Sequence, residues 1–215
     1  GAKQIVMIQC VGSRNEERPY CSRTCCSSAV KNALKIKELN PEAEITILYR
    51  DMRTYGLMES YYAKARNQGI LFVKYEPEAK PEVKKDGDRL SVSFVDRVLK
   101  ERMELKPDLF ILSAATIPRE NEELATMLKV PRTAEGFFLE AHMKLRPVDF
   151  ATDGLYLAGA GHGPKLISES ISQASAAVAR ACTILSKEKM FVGGVVAIVE
   201  GERCAACLTC VRVCP

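Results

Sequence analysis

Short apolar runs alternate along this chain with stretches of helical period, and that alternation restricts the fold more than any other feature. Ile5-Val6-Met7-Ile8-Gln9 reads as a first strand. A loop follows, then Val30, Ala33, Leu34 and Ile36 fall on one face of a helix that Ser27 or Ser28 would cap and Asn40-Pro41 would stop. Ile45 to Tyr49 reads as a buried strand, Met58 to Asn67 as a helix ending at Gly69, and Ile70 to Tyr75 as a third strand. Strand and helix in alternation require parallel strands joined by helical crossovers.

Between Pro81 and Pro107 the period falls to two. Arg89 to Val95 and Leu99 to Leu105 alternate, and Asp86-Gly87 supplies a hairpin turn, so a small antiparallel meander is inserted there. Leu109 to Leu112 returns to a continuous apolar run, as a central strand would, ahead of a short helix from Glu122 to Leu128. Farther on, a strand from Leu155 to Ala158 leads through a glycine-rich loop into an Ala/Ser-rich helix from about Leu166 to Ser186, with the lone Cys182 in its core face. Phe191 to Val199 reads as one more short strand, and a second domain begins there. The expectation is an α/β, Rossmann-like three-layer domain over 1–190 with an inserted antiparallel β-meander, followed by the start of another domain over 191–215.

A Rossmann unit keeps glycines in the turn after its first strand so that a pyrophosphate can approach the backbone at the helix N-terminus. This chain has CVGSRNEERPYCSRTCC there, with Gly12 alone, and thiols at Cys10, Cys21, Cys25 and Cys26. The spacing lacks the CxxC of a zinc finger and of a thioredoxin-like redox site, and a [4Fe-4S] cube suits it better. A cube with four thiolates is anionic, and Arg14, Arg18, Arg23 and the following helix N-terminus would offset it. Buried thiols, zinc or a disulfide are the alternatives. All nine cysteines fall as a group of four, Cys182, and a second group of four. That is ligand-like clustering and fits a reducing cytosol.

The second group, CAACLTCVRVCP, places Cys204, Cys207, Cys210 and Cys214 in the CxxCxxCxxxCP spacing of bacterial ferredoxins, against a zinc ribbon or redox pair as the plainer choice. In two-cluster ferredoxins the fourth cysteine serves the other cluster, so Cys214 would await ligands lying outside these residues. The chain opens on Gly1-Ala2 and stops at Pro215 inside that motif, as an excised fragment would.

LAGAGHGPK sets Gly159, Gly161 and Gly163 between a strand and a helix, where backbone amides and a helix N-terminus would face a ligand. A purely structural turn is equally open, and His162 and Lys165 are either ligand contacts or solvated side chains. The net charge of +4, with acids interleaved among the bases, argues for no nucleic-acid partner. No run approaches the ~18 apolar residues of a membrane span and none resembles an export signal, so a cytoplasmic protein is expected.

Three segments, IQCVGSRNEERPYCSRTCC, GLYLAGAGHGPKLISESISQASAAVARA and CAACLTCVRVCP, resemble the flavoprotein subunit of heterodisulfide reductase, an FAD and iron–sulfur electron-transfer protein with a thioredoxin-reductase-like domain. The resemblance runs collinearly from start to end. It implies a pyridine nucleotide-disulfide oxidoreductase-like fold, a cluster on Cys10, Cys21, Cys25 and Cys26, and a ferredoxin-like domain beginning near 191. It further implies FAD contacts within 152–186 from Gly159, Ala160, Gly161, His162, Gly163, Pro164 and Lys165, with Lys31 as a flavin neighbour. The partners it implies are the other subunits of a heterodisulfide reductase-like complex, a hydrogenase or other electron donor, and ferredoxin.

Two departures stand out. FAD-dependent relatives usually have an Asp where Ala160 stands, and the first FAD-binding half with its GxGxxG is absent from these residues. The competing readings are an NAD(P)-dependent FAD disulfide oxidoreductase module with Cys25-Cys26 as its redox pair, and a zinc-stabilised interaction module.

Overall fold

The computed structural model describes residues 1–87, 89–189 and 197–213. The chain divides into two compact units, Gly1–Ala181 and Cys182–Pro215. In the first, β1 (Gln4–Val11), β2 (Glu44–Tyr49), β3 (Leu71–Lys74) and β7 (Leu109–Ala114) form a parallel sheet in the order β3-β2-β1-β7. Helices α1 (Cys25–Leu39) and α2 (Glu59–Asn67) are the crossovers between β1 and β2 and between β2 and β3.

A parallel sheet needs cover on both faces. On one face Ile5, Met7, Ile45 and Ile47 pack with Ala29, Val30 and Ala33 of α1 and Ala65 of α2. On the other, Val6, Ile8 and Leu48 pack with Val92 and Phe94 from the meander β4 (Glu82–Asp86), β5 (Arg89–Asp96) and β6 (Glu101–Leu105). The three layers are therefore helices, parallel sheet and antiparallel meander. The expected α/β class, the parallel sheet and the inserted meander are all present, and the short helix α3 (Glu122–Leu128) forms where its pattern places it.

Three expectations need correction. Helix α1 opens at Cys25, so Ser27 and Ser28 lie inside it, and its N-cap is Thr24, whose hydroxyl bonds Ser22 O instead of the helix. Leu155 to Ala158 is not a strand: a single bridge, Asp149 to Tyr156, forms there, because the short apolar run folds over the small core of Ala125, Val130 and Phe150 and meets no sheet edge. Cys182 is exposed, not core. Helix α4 (Ile167–Leu185) buries no residue among those described, and Ile167, Ile171 and Val178 are 81%, 62% and 62% exposed.

In the second unit a short helix α5 (Thr209–Val213) follows the Cys204–Cys207 stretch. The strand expected over Phe191 to Val199 lies mostly outside the described residues, and 197–199 carry no regular structure.

Candidate metal centre and the neighbouring glycine segment

Strand β1 ends in a bulge. Ile8 pairs with Leu112 and Val11 with Ala114, so three steps on β1 face two on β7. The extra residue is absorbed where Cys10 adopts φ 61°, a left-handed conformation costly for a side chain with a Cβ. Cys10 thereby sits out of the strand's alternation. Arg14 and Arg23 are also left-handed, at φ 58° and 59°. Such strain persists only where surrounding contacts hold it, and it concentrates at functional sites.

The contacts that hold the loop run to distant elements. Arg14 N donates to Tyr20 O at 3.1 Å, and Tyr20 Oη donates to Thr116 O at 2.9 Å just beyond β7. Ser22 Oγ accepts from Thr116 N at 3.0 Å. Arg50 Nη1, after β2, donates to Arg14 O at 2.5 Å. The loop is thus stitched to the carboxyl ends of β2 and β7, where parallel sheets place their ligands.

Cys25 and Cys26 occupy the first turn of α1, and Cys21 lies four residues ahead of Cys25. Cys10 and Cys26 are buried, Cys21 and Cys25 half-buried, and all four are free thiols. They lie in one electrostatic neighbourhood. Burial pushes the Cys10 thiol up, as do Cys25 and Cys21, while the Arg14 guanidinium opposes the rise. Cys25 is pushed up by the hydrogen bond it shares with Cys26 and by burial. Cys26 is lowered, first by that hydrogen bond, against burial, with help from the Arg53 backbone and opposition from Cys10 and Cys21.

Among the described residues no three His, Cys, Asp or Glu side chains stand at the spacing of a single metal ion. A four-iron cube places each thiolate on its own iron, so its sulfurs need a wider spread than ligands sharing one ion. Two further observations bear on the fit. Gln9 is 0% exposed, with neither Nε2 nor Oε1 partnered, and by strand alternation it follows Ile5 and Met7 onto the face that α1 covers. Arg14 Nη1 is buried without a partner, although Nη2 donates to Asp51 Oδ2 at 2.6 Å. Unmet buried polar groups cost about 1–3 kcal/mol each. Gln9 and Arg14 flank Cys10 in the chain, and the Arg14 guanidinium beside the Cys10 sulfur fits an anionic inorganic core.

Of the three arginines expected to balance the thiolates, only Arg14 stands beside Cys10. Arg18 pairs with exposed Glu17 at 2.7 Å. Arg23 reaches away from the sulfurs. Its backbone N–H donates to Cys21 Sγ at 3.3 Å, but its guanidinium donates to Tyr55 Oη at 2.9 Å, to Pro164 O at 3.4 Å and to Glu169. It therefore joins the cysteine loop to the start of α4.

The glycine segment is internally bonded. Gly159, at φ 76°, donates its N–H to Gln173 Oε1 at 3.0 Å, and Gly163 donates to Ala160 O at 3.1 Å. Leu166 N, at the mouth of α4, donates to Glu169 Oε2 at 2.7 Å. These amides, expected to face a ligand, are occupied, so the segment offers a fixed turn more than an open anion cradle. His162 is bound on both ring nitrogens: Nε2 to Glu140 Oε2 at 2.7 Å, Nδ1 to Gln173 Nε2 at 2.8 Å and Lys165 Nζ at 3.3 Å. Burial works to raise the Glu140 carboxyl, but its own backbone and His162 outweigh it and hold it below the usual range. Burial and then Arg23 lower Lys165.

Lys31 and Lys165 line one cavity of about 520 Å³, together with Ser27 and Tyr61. Thr54 also lines it, 1% exposed and with Oγ1 unpartnered. The structure thus brings the two expected flavin neighbours together. Thr54 and Glu140 had no signal in the sequence. In the second unit Cys204, Cys207 and Cys210 are exposed and free, and Thr209 lowers Cys207 through a 3.3 Å contact. Cys214 lies outside the described residues.

The parallel sheet with its antiparallel meander has counterparts among solved flavoprotein reductases. Thioredoxin reductase of T. acidophilum aligns with a TM-score of 0.56 at 16% identity, over 86% of this chain and 53% of that one. The flavoprotein disulfide reductase RclA of Escherichia coli aligns at 0.53 and 12% identity, over 88% and 38%. No family model matches the chain.

By sequence, 99% of the chain is 44% identical to an iron-sulfur subunit of the CoB–CoM heterodisulfide reductase of Methanopyrus kandleri. It is 38% identical over 99% to a component of the H(2):CoB-CoM heterodisulfide,ferredoxin reductase of Methanothermobacter thermautotrophicus. The chain is a relative of the iron–sulfur subunit of heterodisulfide reductase, and it spans about a third of the length of these curated relatives, 33% in both cases.

Proposed function

We propose that the chain is the cluster-bearing part of an iron–sulfur flavoprotein oxidoreductase of the heterodisulfide reductase type, relaying electrons between FAD and [4Fe-4S] clusters. The observation that carries this reading is the convergence of Cys10, Cys21, Cys25 and Cys26 around a bulge flanked by buried, unpartnered donors. Those four thiolates would hold the cluster. A bound cluster stores and passes single electrons. The chain's own residues set the charge it meets: Arg14 beside Cys10, the first turn of α1 behind Cys25 and Cys26, and no acidic residue in that turn.

Gly159, Ala160, Gly161, His162, Gly163, Pro164 and Lys165 would form one wall of the flavin site. Lys31 and Lys165, lining one cavity, would face its ring system. The redox potential of a flavin depends on nearby charge, and two ammonium groups at one cavity would stabilise negative charge on a ring bound there. Cys204, Cys207, Cys210 and Cys214 would serve a ferredoxin-like relay. The partners would be other subunits of a heterodisulfide reductase-like complex, a hydrogenase or other electron donor, and ferredoxin, in the cytosol. No helix among the described residues is long and apolar enough to cross a membrane.

Anaerobic reconstitution with iron and sulfide tests the reading. The chain should gain the broad visible absorption of an iron–sulfur cluster, and Cys21→Ser should lose most of it. Absorption that never develops, with two thiols lost per chain on mild oxidation, would favour a Cys25-Cys26 redox pair instead.

A further inference from the structure

Arg23 contacts both halves of the site at once. It sits two residues after Cys21 and two before Cys25, held left-handed at φ 59°. Its backbone N–H donates to the Cys21 sulfur at 3.3 Å. Its guanidinium leaves the loop and takes three acceptors elsewhere: Tyr55 Oη at 2.9 Å, Pro164 O at 3.4 Å and the Glu169 carboxylate.

From there the bonding continues without a break. The other Glu169 oxygen accepts Leu166 N at 2.7 Å. Next to Leu166, Lys165 meets His162 Nδ1 at 3.3 Å, which Gln173 also reaches at 2.8 Å, and Gln173 accepts Gly159 N at 3.0 Å. A path of hydrogen bonds and single peptide links thus runs from the Cys21 sulfur to the first glycine of the segment.

We propose that Arg23 is a positioning residue that transmits order from the cysteine site to the glycine segment, so that filling the first fixes the geometry of the second. The inference rests on the reading that Cys10, Cys21, Cys25 and Cys26 hold a cluster. Its physical basis is that Arg23 cannot shift its φ or its peptide without moving both the N–H on Cys21 and the guanidinium. Ligation of Cys21 narrows the first of these, and therefore the second. Arginine suits the role because its planar fork addresses several acceptors in fixed directions, which a lysine ammonium does not. An arginine serving only as counter-charge would point at the sulfurs, and this one points away.

Hydrogen–deuterium exchange of peptides covering 159–169, compared before and after anaerobic reconstitution of the chain, reads the coupling directly. In the wild type, cluster assembly should slow exchange there about tenfold, the scale of one charge-assisted hydrogen bond. Arg23→Gln should take up the same iron, with the same visible absorption, and lose the slowing. Arg23→Lys, which keeps the charge without the fork, should lose most of it. Glu169→Gln cuts the path at the first side chain beyond Arg23, leaves every loop residue in place and should behave like Arg23→Gln, which covers a variant that fails to fold.

Slowing that persists undiminished in Arg23→Gln and Glu169→Gln, or a loaded wild type with no slowing, would overturn the proposal while leaving the cluster standing. A wild type that takes up no iron would overturn the cluster reading, and this inference with it.

Discussion

At the residue scale, a buried phenol braces the bulge around Cys10. Tyr75 Oη donates to Gln9 O at 2.6 Å, from the residue just after β3 to the residue just before Cys10. Burial first, and Cys10 second, push the phenol up to about 12, so it remains a protonated donor across the neutral range. Tyr75→Phe keeps the ring and removes the donor, leaving the Gln9 carbonyl, already beside an unpartnered amide, with no bond from that side. Urea unfolding of the metal-free chain should show a loss of about 1–3 kcal/mol. An unchanged midpoint would mean that the bulge is held by the strand ladder alone.

The same scale shows where sequence reading reached its limit. Cys10, Cys21, Cys25 and Cys26 are legible because thiols cluster in a loop that should hold glycines. Arg14, Arg18 and Arg23 are visible as nearby charge, yet their different tasks are not. Each is decided by a partner far off in the chain or adjacent by chance of geometry: Asp51 for Arg14, Glu17 for Arg18, Glu169 for Arg23. Thr54 and Glu140 enter the site purely through folding, and no local pattern marks them.

At the element scale, the meander takes the place of a helical layer. Rossmann sheets are commonly covered by helices on both faces, and here β5 supplies Val92 and Phe94 to the face of β1 and β2 that α1 does not reach. Phe94 is buried against Val6, Ile8, Leu48 and Tyr75. Phe94→Ala should cost about 3–5 kcal/mol, the range for emptying a buried aromatic site. Equilibrium denaturation checks it, and a loss below about 1 kcal/mol would mean that the meander merely rests on the sheet.

The elements were legible in proportion to how fully a local pattern determines them. Period two over 89–105 and a hairpin turn at Asp86-Gly87 sufficed for the meander, and β4 to β6 form there. Leu155 to Ala158 carries the composition of a strand, but strandhood requires a partner, and only Tyr156 finds a bridge. Helix α1 misled in the opposite way. Two serines look like caps, while the actual first turn belongs to Cys25 and Cys26, held by the loop and not by a capping side chain. That earlier start, with Thr24 at the cap in place of Ser27 or Ser28, places both thiols at the positive end of the helix.

At the scale of the whole molecule, the two cysteine groups stand on unequal supports. The first is built into the principal unit, Gly1–Ala181, with its thiols buried or half-buried and tied to β1, β2, β7 and α1. In the second unit Cys204, Cys207 and Cys210 are exposed, and none of the described residues around them is buried. Metal uptake is favoured where folding has already brought ligands together, since otherwise binding must also order the chain. Reconstitution should therefore fill the first site and leave the second poorly occupied, giving close to four iron atoms per chain, the content of one cube. Cys21→Ser should bring iron near zero, whereas Cys207→Ser should leave it almost unchanged. Iron and acid-labile sulfide analysis decides between these outcomes: about eight iron per chain, halved in Cys207→Ser, would mean that the terminal motif organises its own cluster.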